Sequence, residues 1–455
     1  MFQYRSEVPV AVEELFAWHQ RPGALARLIP PWESLELESG SESLTPGSRV
    51  TLKLSVGEVP LRWVSEHTKL QRNDYFQDKQ VSGPFASWLH THRFGAIDAS
   101  HSYLQDEIEY TLPGGAVGNI LGAAPIRQKL QRMFEYRHQT TIQDLTSHSL
   151  YKDRQPMKIA ITGASGLVGS QLAPFLTGGN HQVLPMTRQK RKQGTVHWSH
   201  DSGEIDLASL EGVDAVIHLA GENIAGSRWN DAVKRKIRDS RVLGTRFLCE
   251  QLAKLQDGPK SLICASAVGY YGDRGTEPVD ENSPPGEGFL VDVCQQWESA
   301  ADPARETGIR VAHGRLGVIL TPKGGALKQM LTPFKLGGGG VIGSGDQYWS
   351  WISIDDVVGA LHHLLMNSSL SGPVNLVSPQ AVTNREFTKT LGRVLLRPTV
   401  IPMPAFAARL ALGEMADALL LASQNVQPTK LQQSGYSFRD PELEPTLRKL
   451  LGKPS

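Results

Sequence analysis

Residues 157–172 read MKIAITGASGLVGSQL, with glycines at 163, 166 and 169 placed after a short apolar run and before a helical pattern. The run KIAIT at 158–162 has no polar alternation, as expected of a strand covered on both faces of a parallel sheet. Past Gly163 the apolar residues Val168, Leu172, Phe175 and Leu176 fall on one helical stripe. Glycines at such a turn permit a tight bend and let backbone N–H groups close on a pyrophosphate. They also seat the helix against the strand, and the helix N-terminus adds partial positive charge. The spacing points to dinucleotide binding rather than to a plain turn.

The next strand, HQVLPMTR, ends on Arg188, where a carboxylate for a ribose 2′-hydroxyl would otherwise stand, and Lys190, Arg191 and Lys192 follow. Cations there suit a 2′-phosphate and favour NADP over NAD, although the three later residues also read as a solvated basic loop. Two further buried-type strands, DAVIHLAG at 214–221 and KSLICAS at 260–266, flank a helical pattern carrying Val233, Ile237, Leu248 and Leu252. Strands alternating with helices give an α/β, doubly wound parallel sheet of the Rossmann type. Its ligands sit beyond the carboxyl ends of the strands, where Gly221 and Ser266 cluster.

Taken together, TGASGLVG, HLAGENIAG, SRWN, ASAVGYYGDRG, GFLVDVCQQWE and YWSWISIDDVV resemble the atypical extended short-chain dehydrogenase/reductases of the epimerase family over about 157–450. The tail at 392–451 resembles that family's helical C-terminal domain of unknown function. The resemblance implies NADP lying along Gly163, Ala164, Ser165, Gly166, Leu167, Val168 and Gly169, with Arg188 and Leu219, Ala220, Gly221 and Glu222 bordering it. It also implies a substrate lobe built from the C-terminal segments.

Such enzymes pair a Ser or Thr with a Tyr and a Lys four residues later. A phenol with pKa about 10 is a poor base unless a nearby ammonium stabilises its anion. Ser266 fits the first role, and also reads as a strand-end turn former. Aligned through Trp297 and Glu298, Leu290 stands where Tyr belongs and Cys294 where Lys belongs; no YxxxK occurs in GFLVDVCQQWESAA. Tyr270 and Tyr271 lie just past Ser266 and are the substitute phenols, against a structural Tyr-Gly. Cys294 reads as a small buried apolar residue. Arg228 and Trp229 could clamp a phosphate or stack on a ring, or simply pack at the surface. Relatives often read WIH where this chain has Trp351, Ile352 and Ser353, so a histidine contact is missing.

The first 150 residues have another rhythm. FQYRSEV reads as a strand and VAVEELFAWHQ as a helix; SRVTLKLSV, LRWVSEHTKL, NDYFQDKQ, SWLHTHRFGAI and SYLQDEIEYTL read as antiparallel strands. A long amphipathic helix follows on Ile126, Leu130, Met133, Phe134 and Ile142. The order resembles the α+β helix-grip fold of the START/polyketide-cyclase-like superfamily over roughly 1–145, which implies an apolar cavity between sheet and helix. His90 and His92 share a strand face, which invites a metal, but no third ligand is evident and the expectation is none. The polar tract LTSHSLYKDRQP at 145–156 reads as a linker.

The expected domains are therefore 1–150, ligand-binding; 157–380, NADP-binding; and 381–455, a helical C-terminal domain completing the substrate lobe. At 455 residues the chain exceeds one core, and a formal charge of +1 gives no pull toward nucleic acid or membrane. Three cysteines without ligand spacing fit a reducing compartment, and no targeting or spanning segment is seen, so a cytoplasmic location is expected. The functional expectation is an NADP-binding oxidoreductase or epimerase-like enzyme with a small-molecule substrate, and an apolar ligand in the N-terminal domain. The rival is a non-catalytic protein that binds NADP and an apolar ligand.

Overall fold

In the computed structural model the chain divides into two units, Met1–Pro156 with Pro174–Asn180 and Lys449–Ser455, and Met157–Ala173 with His181–Arg448. Residues 41–42, 57–58, 191–192 and 455, and the side chains of 55–56, 59 and 116–121, lie outside the description. Arg191 and Lys192 are therefore among the undescribed residues.

The first unit opens with β1 (Phe2–Val8), α1 (Val12–Gln20) and α2 (Ala24–Arg27). Six strands follow: β2 (Leu35–Gly40), β3 (Arg49–Val56), β4 (Val59–Gln71), β5 (Tyr75–Ser82), β6 (Ser87–Ala96) and β7 (Ser102–Thr111). They form an antiparallel sheet ordered β1-β7-β6-β5-β4-β3-β2, with β1 carried back beside β7. The helix α3 (Gly115–Ser149) lays Leu130 and Phe134 on Phe2, Trp88 and Ile108 of the sheet. This is the helix-grip arrangement. The tract expected as a linker from 145 is helical as far as Ser149, because Leu145 is fully buried and Ser149 Oγ donates to its carbonyl at 2.8 Å.

In the second unit β8 (Lys158–Thr162) leads into the start of α4 (Gly169–Gly178), whose residues from Pro174 belong to the first unit, then β9 (Gln182–Thr187), β10 (Val196–Ser199), β11 (Glu204–Ile205) and β12 (Ala215–His218). After α5 (Asp231–Leu252) come β13 (Ser261–Ala267), β14 (Pro278–Val279), α6 (Phe289–Ser299), α7 (Asp302–Glu306) and β15 (Arg310–Leu316). The main sheet runs β11-β10-β9-β8-β12-β13-β15 and ends on the strand Gly372–Leu376; all pairings are parallel except β10 with β11. The apolar runs read from the sequence are buried on both faces: Ile159, Ile161, Val216, Ile217, Leu262 and Ile263 have no exposure. The strand order reverses between β8 and β12, and the loops leaving these strands form the crevice where such sheets bind ligands. Residues 381–448 belong to this unit. Among the described residues no helix is long and apolar enough to cross a membrane.

Candidate functional site

Thr162 closes β8 and organises the crevice. Its Oγ1 accepts from Leu219 N at 3.1 Å and Ala220 N at 3.2 Å, and contacts His218 Nδ1 at 2.7 Å. His218 Nε2 reaches Thr245 Oγ1 at 3.0 Å, which also accepts from Trp297 Nε1 at 3.0 Å. Burial pushes the His218 imidazole down to about 4, so it is neutral and the network is a fixed scaffold.

On that scaffold the glycines have distinct duties. Gly163 has φ +68°, and a Cβ there would lie 3.0 Å from the backbone of Leu219 and Ala220. At Gly169 a Cβ would lie 2.3 Å from the Gly163 carbonyl oxygen, so only glycine seats the helix. Gly166 N donates to Gly163 O at 2.9 Å, which tightens the turn and leaves Ser165 and Gly166 exposed and Ala164 half-buried. The backbone N–H groups of Leu167, Val168 and Gly169 donate to no protein group among the described residues. Orphan donors at an open helix start are an anion seat.

Arg188 follows β9 with an exposed side chain, and no ion pair of it is present among the described residues. Lys190, in contrast, is committed to Glu204 at 2.6 Å. Leu219 and Ala220 are half-buried and Gly221 and Glu222 exposed; Glu222 N donates to Ser240 Oγ at 3.1 Å. Sequence reasoning missed Arg241, whose guanidinium carbon would sit 3.4 Å from a Cβ on Gly221 and lies 5.0 Å from the Trp297 ring. Its helical spacing from Ile237 and Leu248 was the available signal.

Beyond β13 the side chains expected to do chemistry are engaged with one another. Ser266 is buried at the strand end, and its Oγ donates to Glu298 Oε1 at 2.7 Å. Arg315 grips the same carboxylate in a fork, Nε to Oε1 and Nη2 to Oε2, both at 2.8 Å. Burial acts to raise Glu298, but the Arg315 fork outweighs it and holds the carboxyl below the usual range. Arg315 Nη1 also donates to Tyr271 OH at 2.9 Å, and that hydroxyl donates to Asn375 Oδ1 at 2.8 Å. Tyr271 has no exposure, and burial pushes its phenol up to about 12. Its hydroxyl is thus spent inside the protein. Tyr270 is half-buried, with the Arg315 guanidinium 3.5 Å from its ring centroid.

At the positions aligned with the missing Tyr and Lys, Leu290 is half-buried and Cys294 buried, its thiol pushed up to about 12 by burial. Trp229 packs edge-on to Phe289 at 5.2 Å and donates from Nε1 to Ile224 O at 2.8 Å, while Arg228 lies against Gly413. Ser353 caps the helix Ile354–Met366 by accepting from Asp356 N at 3.0 Å, a duty histidine would serve less well. The Glu298–Arg315 pair was visible in sequence only as an alignment anchor and an unremarked arginine.

Residues 159–376 match the NAD dependent epimerase/dehydratase family, 8–134 the polyketide cyclase/dehydrase and lipid transport family, and 403–450 a domain of unknown function. An epimerase family protein of Mycobacterium bovis is 46% identical over 281 residues, which cover 62% of this chain and 93% of that protein. Human epimerase family protein SDR39U1 is 34% identical over 302 residues, covering 65% of this chain and all of the relative. The solved structure of a nucleoside-diphosphate sugar epimerase from Corynebacterium glutamicum superposes with TM-score 0.82 at 33% identity, over 99% of this chain and 90% of the other. That of human SDR39U1 with NADPH superposes with TM-score 0.59 at 34% identity, over 65% of this chain and 99% of the other.

Proposed function

The chain belongs to the epimerase family, and from that premise we propose that its second unit is an NADP-dependent oxidoreductase or epimerase-like enzyme acting on a small carbonyl or hydroxyl compound. The observation that carries this reading is the set of unengaged N–H groups at Leu167, Val168 and Gly169, beside the exposed guanidinium of Arg188. Pyrophosphate oxygens fit the turn Gly163–Gly169, the nucleoside fits along Leu219–Glu222, and a 2′-phosphate fits Arg188. When bound, the nicotinamide supplies hydride chemistry. The NADPH in the human relative supports the choice of cofactor.

Ser266 orients the substrate oxygen. Because its proton is directed at Glu298, it meets a substrate hydroxyl as an acceptor. Glu298, kept ionised by Arg315, fixes Ser266 and does not shuttle protons. Tyr271 is a structural phenol, and Tyr270 is the remaining candidate for proton transfer. Lacking the Tyr–Lys shuttle costs a factor of ~10² to 10⁴ in rate. A second reading, NADP and ligand binding without turnover, is favoured by the sealing of Tyr271 and Cys294.

Calorimetric titration with NADPH, followed by NADPH oxidation against ketones, aldehydes and sugar nucleotides, tests both. Uptake is expected, and Arg188→Asp should weaken it by about 10- to 100-fold, the worth of a lost charge-assisted hydrogen bond. Absence of uptake sinks the proposal. Uptake with no oxidation of any compound selects the second reading.

A further inference from the structure

The first unit holds a cluster of ionisable side chains that the nucleotide site does not use. In the strand register Asp78 of β5 lies opposite His90 of β6, and His92 lies opposite Asp106 of β7. Residues directly opposed on antiparallel strands share a face, so these side chains converge. Asp106 Oδ1 lies 2.7 Å from both His90 Nε2 and His92 Nδ1, and its Oδ2 lies 2.6 Å from His138 Nε2 on α3.

With each imidazole donating to Asp106 through that nitrogen, a metal ion can take His90 Nδ1 and His92 Nε2, displacing from His92 the second proton that Asp106 and Asp78 otherwise hold there. Both nitrogens face a single oxygen, Asp78 Oδ2, at 3.6 Å each. This is too long for a hydrogen bond. It fits the roughly 3.4 Å that separates two ligand atoms each held about 2.1 Å from one tetrahedral ion. One ligand atom from each of Asp78, His90 and His92 lies within 4.8 Å of the others.

The surroundings are built for the same purpose. Ser65 Oγ donates to Asp78 Oδ1 at 2.5 Å and so leaves Oδ2 to the nitrogens. His67, opposite Asp78 on β4, has a buried Nδ1 with no hydrogen-bond partner among the described residues. Phe76 stacks on His92 at 4.1 Å and Phe134 stands edge-on to His90 at 5.3 Å, so the three groups meet among aromatic rings. A positive charge satisfies the set, either a proton on His92 or a metal ion in its place.

We propose that Asp78, His90 and His92 bind one divalent transition-metal ion of the zinc or ferrous class, with Asp106 fixing both imidazoles. Two imidazoles and a carboxylate suit these ions, whereas calcium and magnesium take oxygen sets. The carboxylate behind the histidines sets their tautomer and orientation, as in established metal centres. Three protein ligands leave a position for an oxygen of water or of a molecule held between sheet and helix. The sequence offered no third ligand because Asp78 stands on another strand and is brought to His90 only by β5–β6 pairing.

The test uses the full chain, stripped with EDTA, loaded with Zn²⁺ or Co²⁺ and freed of excess by gel filtration. One ion per chain is expected, with visible d–d bands for Co²⁺ and an X-ray absorption spectrum showing two imidazoles. Asp78→Asn should abolish uptake, Asp106→Asn should weaken it about 10- to 100-fold, and His101→Gln, at an exposed histidine, should leave it unchanged. Circular dichroism establishes that each variant is folded. If the buried variants fail to fold, the unaltered chain still decides, since its melting midpoint should rise on adding Zn²⁺. No retained ion, an unmoved midpoint, a shell without imidazole, or full uptake by folded Asp78→Asn overturns the proposal.

Discussion

Two carboxylates, the half-buried Glu298 of the second unit and the buried Asp106 of the first, are held by opposite means. Glu298 is held by one guanidinium, which carries a permanent charge and fills both oxygens through a fork. Asp106 is held by three imidazoles, and burial, which acts to raise it, is outweighed by His92, His138 and His90, so its pKa lies well below the usual range. A guanidinium has no lone pair to offer; an imidazole that donates through one nitrogen presents the other as a ligand. The first arrangement therefore locks a strand end, and the second leaves free chemistry on its far side. The lesson is that the neutralising partner, more than the buried acid itself, decides whether a site is inert.

The sharpest way to break this comparison is to remove the lock. Arg315→Met strands Glu298 without its partner and is expected to destabilise the chain by about 3–5 kcal/mol in chemical denaturation. A loss below about 1 kcal/mol would mean the pair is dispensable. Next in size is acid sensitivity. Burial pushes His218 and His313 down to about 4, so in the fold they are neutral where the unfolded chain, near 6.5, takes up protons. Their contribution is fully present above pH 6.5 and lost as pH falls toward 4, by up to about 3 kcal/mol for each imidazole. Denaturation at stepped pH should show this slope, and His218→Gln should flatten part of it.

Gly169→Ala comes third. The Cβ that would lie 2.3 Å from Gly163 O costs about 1–3 kcal/mol in displaced turn geometry, read as a roughly tenfold or greater loss of NADPH affinity by calorimetry. Tyr271→Phe is the smallest change, about 1 kcal/mol of stability for its lost hydrogen bonds. Any turnover found should be unaffected by it, and a hundredfold fall would restore Tyr271 as a proton carrier.

What the sequence shows depends on how local the determinants are. The turn at Gly163–Gly169 is made by backbone within one stretch, and the periodicity on either side of it identifies strand and helix without any partner. Asp106 gathers His90, His92 and His138 from β6 and α3, and nothing in the chain order announces that meeting. The two histidines were seen and the carboxylate facing them was not, since strand register is set by packing. Tyr271 illustrates the converse: its position after Ser266 suggests chemistry, and only tertiary structure shows its hydroxyl turned inward to Asn375. The helical Leu145–Ser149 segment escaped because polar composition masked one deeply packed leucine.

The outermost strand of the nucleotide-binding sheet, β11, is two residues long and runs against its neighbour, and Glu204 on it is charge-paired with Lys190. A row of unpaired amides that brief, topped by an ion pair, is a poor template for another chain's backbone. That border thereby protects a hydrophobic parallel sheet from fibrillar self-assembly.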